Sequence, residues 1–268
     1  MFILLFIGCR YTNDKVQVLP NAHAHNDYEH ERPLFDALEN GFISVEADVF
    51  MIENNLWVAH ERPDTLNATK TLEALYLQPL RQRIQENNGS IYSGYDEFFY
   101  LMVDVKTPAK ESYPLLREIL SKYDDIISVI HDSTDQDKPV KVFITGFHGR
   151  PFKQILNDSI KYAGIDGRPN ELERGISSEV MPIISQNYNK YLSWNGQEGN
   201  PDPEELYKLT QMIDKAHREG KMVRLWATPD NELVWTFLLD IGIDLINTDD
   251  LSGLNGFLTN RYKQAIKP

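Results

Sequence analysis

Cysteine is almost absent from this chain. Its one residue, Cys9, excludes an internal disulfide framework and any site built on several thiolates. Basic runs are missing too. The 27 Lys and Arg are outnumbered by 40 Asp and Glu, giving a net charge of −13, and no segment is rich in Lys or Arg. An extended nucleic-acid contact needs a basic surface to displace counterions, so nucleic acid is excluded as a partner. An anionic small molecule is not excluded, because a bound divalent cation inverts the local potential. No GxGxxG or GxxxxGK[ST] loop is present to cradle a nucleotide. Internal repeats, low-complexity tracts and domain linkers are also missing. The longest apolar run, Met1-Phe-Ile-Leu-Leu-Phe-Ile-Gly-Cys9, is well short of the roughly 20 residues that cross a bilayer.

That run resembles the end of a bacterial lipoprotein signal, whose cysteine is lipidated after cleavage, although it lacks a basic n-region. Residues 1–14 are therefore set apart as a signal remnant and membrane tether through Cys9. The location expected from them is extracytoplasmic, periplasmic or anchored to the outer membrane of a bacterium. Residues 15–268 are left as one catalytic domain. With 268 residues, 41% hydrophobic and 25% charged, the chain has the composition of a globular protein with a substantial core.

Apolar, strand-like runs at 16–24, 43–50, 55–60, 98–106, 140–146, 181–186, 221–227 and 243–247 alternate with helical patterns. The clearest helix is 203–219, with Pro203 in its first turn, Gly220 at its end and Leu206, Leu209, Ile213 and Ala216 as its stripe. Alternation of this length predicts a parallel α/β sheet. Acids and histidines recur at the C-terminal ends of the strands: His25, Asp48, Asp104 and Asp249. This favours a TIM-type (β/α)8 barrel in a single domain, since that fold builds its site at that face. The Gly-rich stretch 164–180 reads as a loop over the barrel mouth.

Glu46 and Asp48 alternate in Ile43-Ser-Val-Glu-Ala-Asp-Val-Phe50, so both carboxylates leave the same face of a buried strand. Such a pair requires a compensating cation or proton. Asp104 ends a second apolar strand, and Lys106 follows it at i+2. Glu46, Asp48 and Asp104 together suit one hard divalent cation, Mg²⁺ or Ca²⁺. Lys106 would hold a phosphate oxygen beside it. His25 and His60 bracket the carboxylates in sequence and suit a general acid and a general base. His148, with Arg150, is a weaker candidate for the mouth.

Two other readings compete. His23-Ala-His25 has the HxH spacing of amidohydrolase-type zinc enzymes, with Asp249 at the last strand. That scheme lacks middle-strand histidines and leaves Glu46 and Asp48 without a role. Alternatively, Tyr188, Tyr191, Trp194 and Trp226 would form the aromatic surface of a non-catalytic barrel that binds lipid head groups or sugars.

The stretches His25-Asn-Asp27, Val45-Glu-Ala-Asp-Val49, Val58-Ala-His60 and Val103-Asp-Val-Lys106 resemble the glycerophosphodiester phosphodiesterase and phosphatidylinositol-specific phospholipase C superfamily. Val223-Arg-Leu-Trp226 and Leu245-Ile-Asn-Thr-Asp-Asp250 resemble its last two strands. His25-Asn-Asp-Tyr28, Pro33-Leu-Phe-Asp-Ala-Leu38 and Thr71–Leu80 are most similar to the branch of the fungal altered-inheritance-of-mitochondria proteins. The short span from His25 to Glu46 and the use of Asp104 also resemble sphingomyelinase D. The resemblance implies a TIM barrel, one divalent cation and attack on a phosphodiester. The substrate it implies is a glycerophosphodiester or phospholipid head group, contacted by Lys106 and Trp226. Departures fall on substrate recognition: Asn26-Asp27 replaces the usual Arg-Gly, the Pro-Glu-Asn segment is missing, and Glu61 replaces the Asp after the second histidine.

Overall fold

The computed structural model describes residues 16–131, 137–146 and 149–265, apart from the side chain of His131. Residues 1–14, with Cys9, and His148 lie outside the described residues. Eight strands are separated mostly by helices: β1 Leu19–Ala24, β2 Phe42–Ile52, β3 Phe99–Val105, β4 Val140–Thr145, β5 Gly164–Gly167, β6 Ile183–Asn187, β7 Met222–Trp226 and β8 Leu245–Thr248. Each pairs in parallel with the next, and β1 pairs with both β8 and β2. The sheet therefore closes into the expected single-domain barrel.

The strands read as apolar runs because both faces are covered. In β3, Leu101, Val103 and Val105 pack outward into the main core, while Met102 joins Ile43, Phe143, Ile183 and Leu245 in a separate inner cluster. Polar side chains occupy the barrel axis nearer the C-terminal ends. Outside, helix Pro203–Arg218 is capped by Asp202, which accepts from Glu204 N and Glu205 N at 2.9 and 3.1 Å. Met212, rather than Leu206, completes its buried stripe of Leu209, Ile213 and Ala216.

Two sequence expectations are corrected. Asn55–Val58 is not a barrel stave; it folds back antiparallel on the end of β2. The turn residues Glu53 and Asn54 both have positive φ, 49° and 58°, as tight hairpins require. Ala59 N then donates to Asp48 O at 3.2 Å, which carries His60 back to the mouth. The missing stave is Gly164-Ile-Asp-Gly167, expected to be loop. Its glycines serve close packing rather than turning. A Cβ on Gly167 would lie 2.5 Å from Met181 Sδ, and one on Gly164 would lie 2.9 Å from Val180 O.

Candidate active site

Register determines the first part of the site. Glu46 lies opposite Met102 and Asp48 opposite Asp104 across β2 and β3, so three carboxylates share the inner face. One oxygen from each lies within 4.8 Å of the others. Their hydrogen bonds are lopsided. Asp48 Oδ2 accepts from Tyr28 Oη at 2.7 Å and Lys106 Nζ at 2.8 Å, and Asp104 Oδ2 accepts from Lys106 Nζ at 2.9 Å. The other oxygen of each, Asp48 Oδ1 and Asp104 Oδ1, is buried with no hydrogen-bond partner among the described residues. Unpartnered buried carboxylate oxygens are costly. Three carboxylates gathered this closely, two of them with an oxygen left over, are what an oxygen-loving divalent cation needs, so the donor set fits one.

The electrostatics support this reading. Burial pushes the Asp48 carboxyl up to about 6; the charges of Glu46 and Asp104 add to the rise and Lys106 opposes it. Asp104 is raised by burial and then by Glu46, again against Lys106. Glu46 goes the other way. Burial disfavours its charge, but Arg224, His23 and His25 outweigh burial and hold the carboxylate ionised. Arg224 is 3% exposed, with Nη2 3.3 Å from Glu46 Oε2 and Nε donating to Asn247 Oδ1 at 2.8 Å.

The two histidines reach different carboxylates of the cluster. His25 follows β1; its Nδ1 is 2.8 Å from Asp249 Oδ1 and its Nε2 is 3.9 Å from Glu46 Oε2. Burial opposes protonation of His25, but the Asp249 hydrogen bond and the Glu46 charge prevail and raise its pKa. His60 Nδ1 is 3.0 Å from Tyr28 Oη and 3.6 Å from Asp48 Oδ2. Both rings line one cavity of about 470 Å³ with Glu46, Asp104, Lys106 and Trp226. The structure thus brings together all seven residues chosen from sequence. A second cavity, of about 670 Å³, meets the first at His60 and runs between Tyr28, Trp57, Pro63 and Leu75.

The family model for the AIM6-like phosphodiesterase domain matches residues 12–163. The chain belongs to this family. Altered inheritance of mitochondria protein 6 of Eremothecium gossypii is 30% identical, over 90% of this chain and 70% of that protein. Its namesake in Lachancea thermotolerans is 30% identical over 88% of this chain, which spans 65% of that protein's length. The homolog from Arthroderma benhamiae is 28% identical over 92% and 87%. Among solved structures, a glycerophosphodiester phosphodiesterase from Parabacteroides distasonis superposes with a TM-score of 0.55 at 14% identity, covering 90% of this chain and 98% of that one. One from Agrobacterium tumefaciens gives 0.53 at 15%, covering 91% and 100%. These identities support the shared fold alone.

Fungal relatives overturn one expectation for this member of the family. They point to a eukaryotic protein, not to a periplasmic or outer-membrane lipoprotein of a bacterium. A Gly-Cys ending to an apolar run is a short signal, and its meaning depends on the cell that reads it. Among the described residues, no helix is long and apolar enough to cross a membrane.

The HxH reading is also corrected. His23 is fully buried, its Nδ1 is 2.7 Å from Ser44 Oγ, and burial followed by the Arg224 charge lowers it to about 4. The group of side chains among the described residues that could hold a cation contains no histidine. The aromatic surface is dispersed: Tyr188 is buried, and Trp194 packs edge-on against Phe237 at 5.3 Å, leaving Trp226 at the mouth. Arg150 is committed to Glu171 through bonds of 2.7 and 2.9 Å.

Sequence reasoning missed four contributors. Asp166 and Arg168 reach the cavity from β5, the strand mistaken for loop; Arg168 bonds Asp166 Oδ2 at 2.7 Å and Thr145 Oγ1 at 3.0 Å. Arg224 was visible as the i−2 neighbour of Trp226 on an apolar strand, the same signal that marked Glu46. Tyr28 had no local signal, because the partners that tie it to the site, Asp48 and His60, are 20 and 32 residues away.

Proposed function

We propose that this chain is a metal-dependent phosphodiesterase acting on glycerophosphodiesters or phospholipid head groups, with residues 15–268 as its catalytic domain. The observation that carries the reading is the cluster of Glu46, Asp48 and Asp104, two of them with an oxygen unpartnered among the described residues, beside a cavity lined by both His25 and His60. An all-oxygen donor set favours Mg²⁺ or Ca²⁺ over softer metals. Glu46, Asp48 and Asp104 would hold the cation, which would supply positive charge for the non-bridging phosphoryl oxygens.

The chain's own groups do the rest. One imidazole of His25 and His60 removes the proton of the attacking hydroxyl, from water or the substrate itself, as the new O–P bond forms. The other protonates the alkoxide released as the old P–O bond breaks. Attack by a substrate hydroxyl yields a cyclic phosphate, which is opened by water or released. Lys106 has three donors and spends two on Asp48 and Asp104, so a third remains for a phosphoryl oxygen. Trp226 lines the cavity beside the phosphate, and the substituent beyond His60 has room in the second cavity.

The test is hydrolysis of bis-p-nitrophenyl phosphate and glycerophosphocholine by the cation-loaded protein. His25→Ala and His60→Ala are each expected to lower turnover by roughly two to four orders of magnitude without changing the melting temperature by more than a few degrees. Full activity in both variants would refute the proposal.

A further inference from the structure

We propose that Tyr28 is a positioning residue for His60, its hydroxyl donating to Asp48 and accepting the Nδ1 proton of the ring. The inference rests on the acid–base role proposed for His60 and adds the group that sets its tautomer.

The argument is one of counting protons. Three polar atoms surround the Tyr28 hydroxyl: Asp48 Oδ2 at 2.7 Å, Asn26 Oδ1 at 2.9 Å and His60 Nδ1 at 3.0 Å. A phenol has one proton to donate and lone pairs to accept with. A carboxylate oxygen can only accept, and a charge-assisted bond outcompetes a neutral one, so the phenol proton goes to Asp48. That leaves the phenol oxygen as the acceptor for His60 Nδ1–H. A neutral His60 then carries its proton on Nδ1 and keeps Nε2 bare. Which nitrogen of a histidine is protonated is set by the partner of the other.

No other contact described for His60 performs this task. Its side chain is 58% exposed, and its one ion-pair contact among the described residues is Asp48 Oδ2 at 3.6 Å, beyond hydrogen-bond reach. Without Tyr28 the ring would be free to turn and to exchange tautomers with solvent.

Tyr28 itself is held from behind. It lies in the single turn Asp27–Glu29, entered through Asn26 in the left-handed region at φ 46°, ψ 39°. The neighbouring Asp27 is fully buried and accepts from Leu34 N at 2.6 Å and Tyr76 Oη at 2.9 Å. One four-residue stretch, His25-Asn-Asp-Tyr28, therefore carries one histidine of the pair and the group that orients the other.

The experiment is ¹⁵N NMR of the histidine side chains in the full-length, cation-free protein, with His60 assigned by difference against His60→Gln. The wild type is expected to show His60 protonated on Nδ1 at a pH where the ring is neutral. In Tyr28→Phe the two nitrogens are expected to shift toward the averaged values of a mixed tautomer. Turnover of bis-p-nitrophenyl phosphate in that variant should fall about 10- to 100-fold, with KM changed by less than about twofold. A wild-type His60 protonated on Nε2 overturns the proposal, even if Tyr28→Phe fails to fold. So does a Tyr28→Phe protein whose His60 signals and turnover match wild type. A wild type that hydrolyses no phosphodiester, yet loses its tautomer on Tyr28→Phe, defeats the phosphodiesterase reading and supports the positioning role.

Discussion

Arg224→Met separates a barrel that merely contains a buried arginine from one whose carboxylate depends on it. The Arg224 guanidinium lies 3.3 Å from Glu46 Oε2, with both side chains at most 6% exposed. At an effective dielectric of about 20, two unit charges at 3.3 Å attract by about 5 kcal/mol. Methionine keeps the aliphatic stem but lacks the guanidinium, so the variant loses the counter-charge to Glu46 together with the hydrogen bond to Asn247. Leaving one partner of a buried pair costs about 3–5 kcal/mol, which lowers the melting temperature of a domain this size by roughly 6–20 °C. Glu46→Gln alone leaves Arg224 bonded to Asn247 and should cost less. Arg224→Met with Glu46→Gln should be more stable than Arg224→Met by about 2 kcal/mol or more, because the stranded charge is gone. The sign with pH follows from linkage. Arg224 contributes to holding the Glu46 pKa below the ordinary 4.5, so the stability it confers is present above that value and lost as the pH falls below it. The gap between wild type and Arg224→Met should therefore narrow in acid. Thermal melts of the cation-free protein followed by circular dichroism read all of this. Additivity of the two single losses to within about 0.5 kcal/mol would refute the coupling.

Three other outcomes are expected. Mg²⁺ or Ca²⁺ at about 100 times its Kd should stabilise the protein by about 2.7 kcal/mol, or roughly 5–11 °C, and Asp48→Asn and Asp104→Asn should each remove most of the shift. A cation effect undiminished in both variants would exclude these carboxylates as ligands. Burial raises Asp27 to about 7 from an ordinary 3.8, so the folded state binds the extra proton. Stability should then fall as the pH rises from about 4 to 7, by about 4 kcal/mol from this group. Asp27→Asn should remove this part of the slope in urea titrations, leaving the part due to Asp48 and Asp104, and an identical slope in wild type and variant would contradict it. Thr65→Trp, at the rim of the second cavity, should reduce kcat/KM about tenfold for a long-chain lysophospholipid while sparing glycerophosphocholine. Equal effects on the two substrates would remove that cavity from the substrate path.

Much of the site was legible because its signals are local. Glu46 and Asp48 alternate within one apolar run, and Asp104 and Lys106 do so within another; period-two geometry puts each pair on one face whatever the rest of the chain does. Residues that touch their partners across long separations carry no such signature. Tyr28 looks like an ordinary turn residue until the hairpin after β2 brings His60 to it. Asp166 and Arg168 were lost with β5, whose glycines imitate a loop although they serve contact with Met181 and Val180. Asn55–Val58 was counted as a stave because strand propensity does not specify which neighbour a strand will pair with.

Composition and spacing by themselves determined that this is an acidic α/β chain with carboxylates and histidines at strand ends. They could do so because burial in a parallel sheet forces apolar runs, and a charge in such a run stands out. Tertiary structure alone decided how those ends are shared. Closure of β1 onto β2 and β8 brings His25 to Asp249, Glu46 to Arg224 and Asp48 to Tyr28. Each of those contacts depends on barrel register, which is set by the packing of all eight strands together rather than by any stretch read alone.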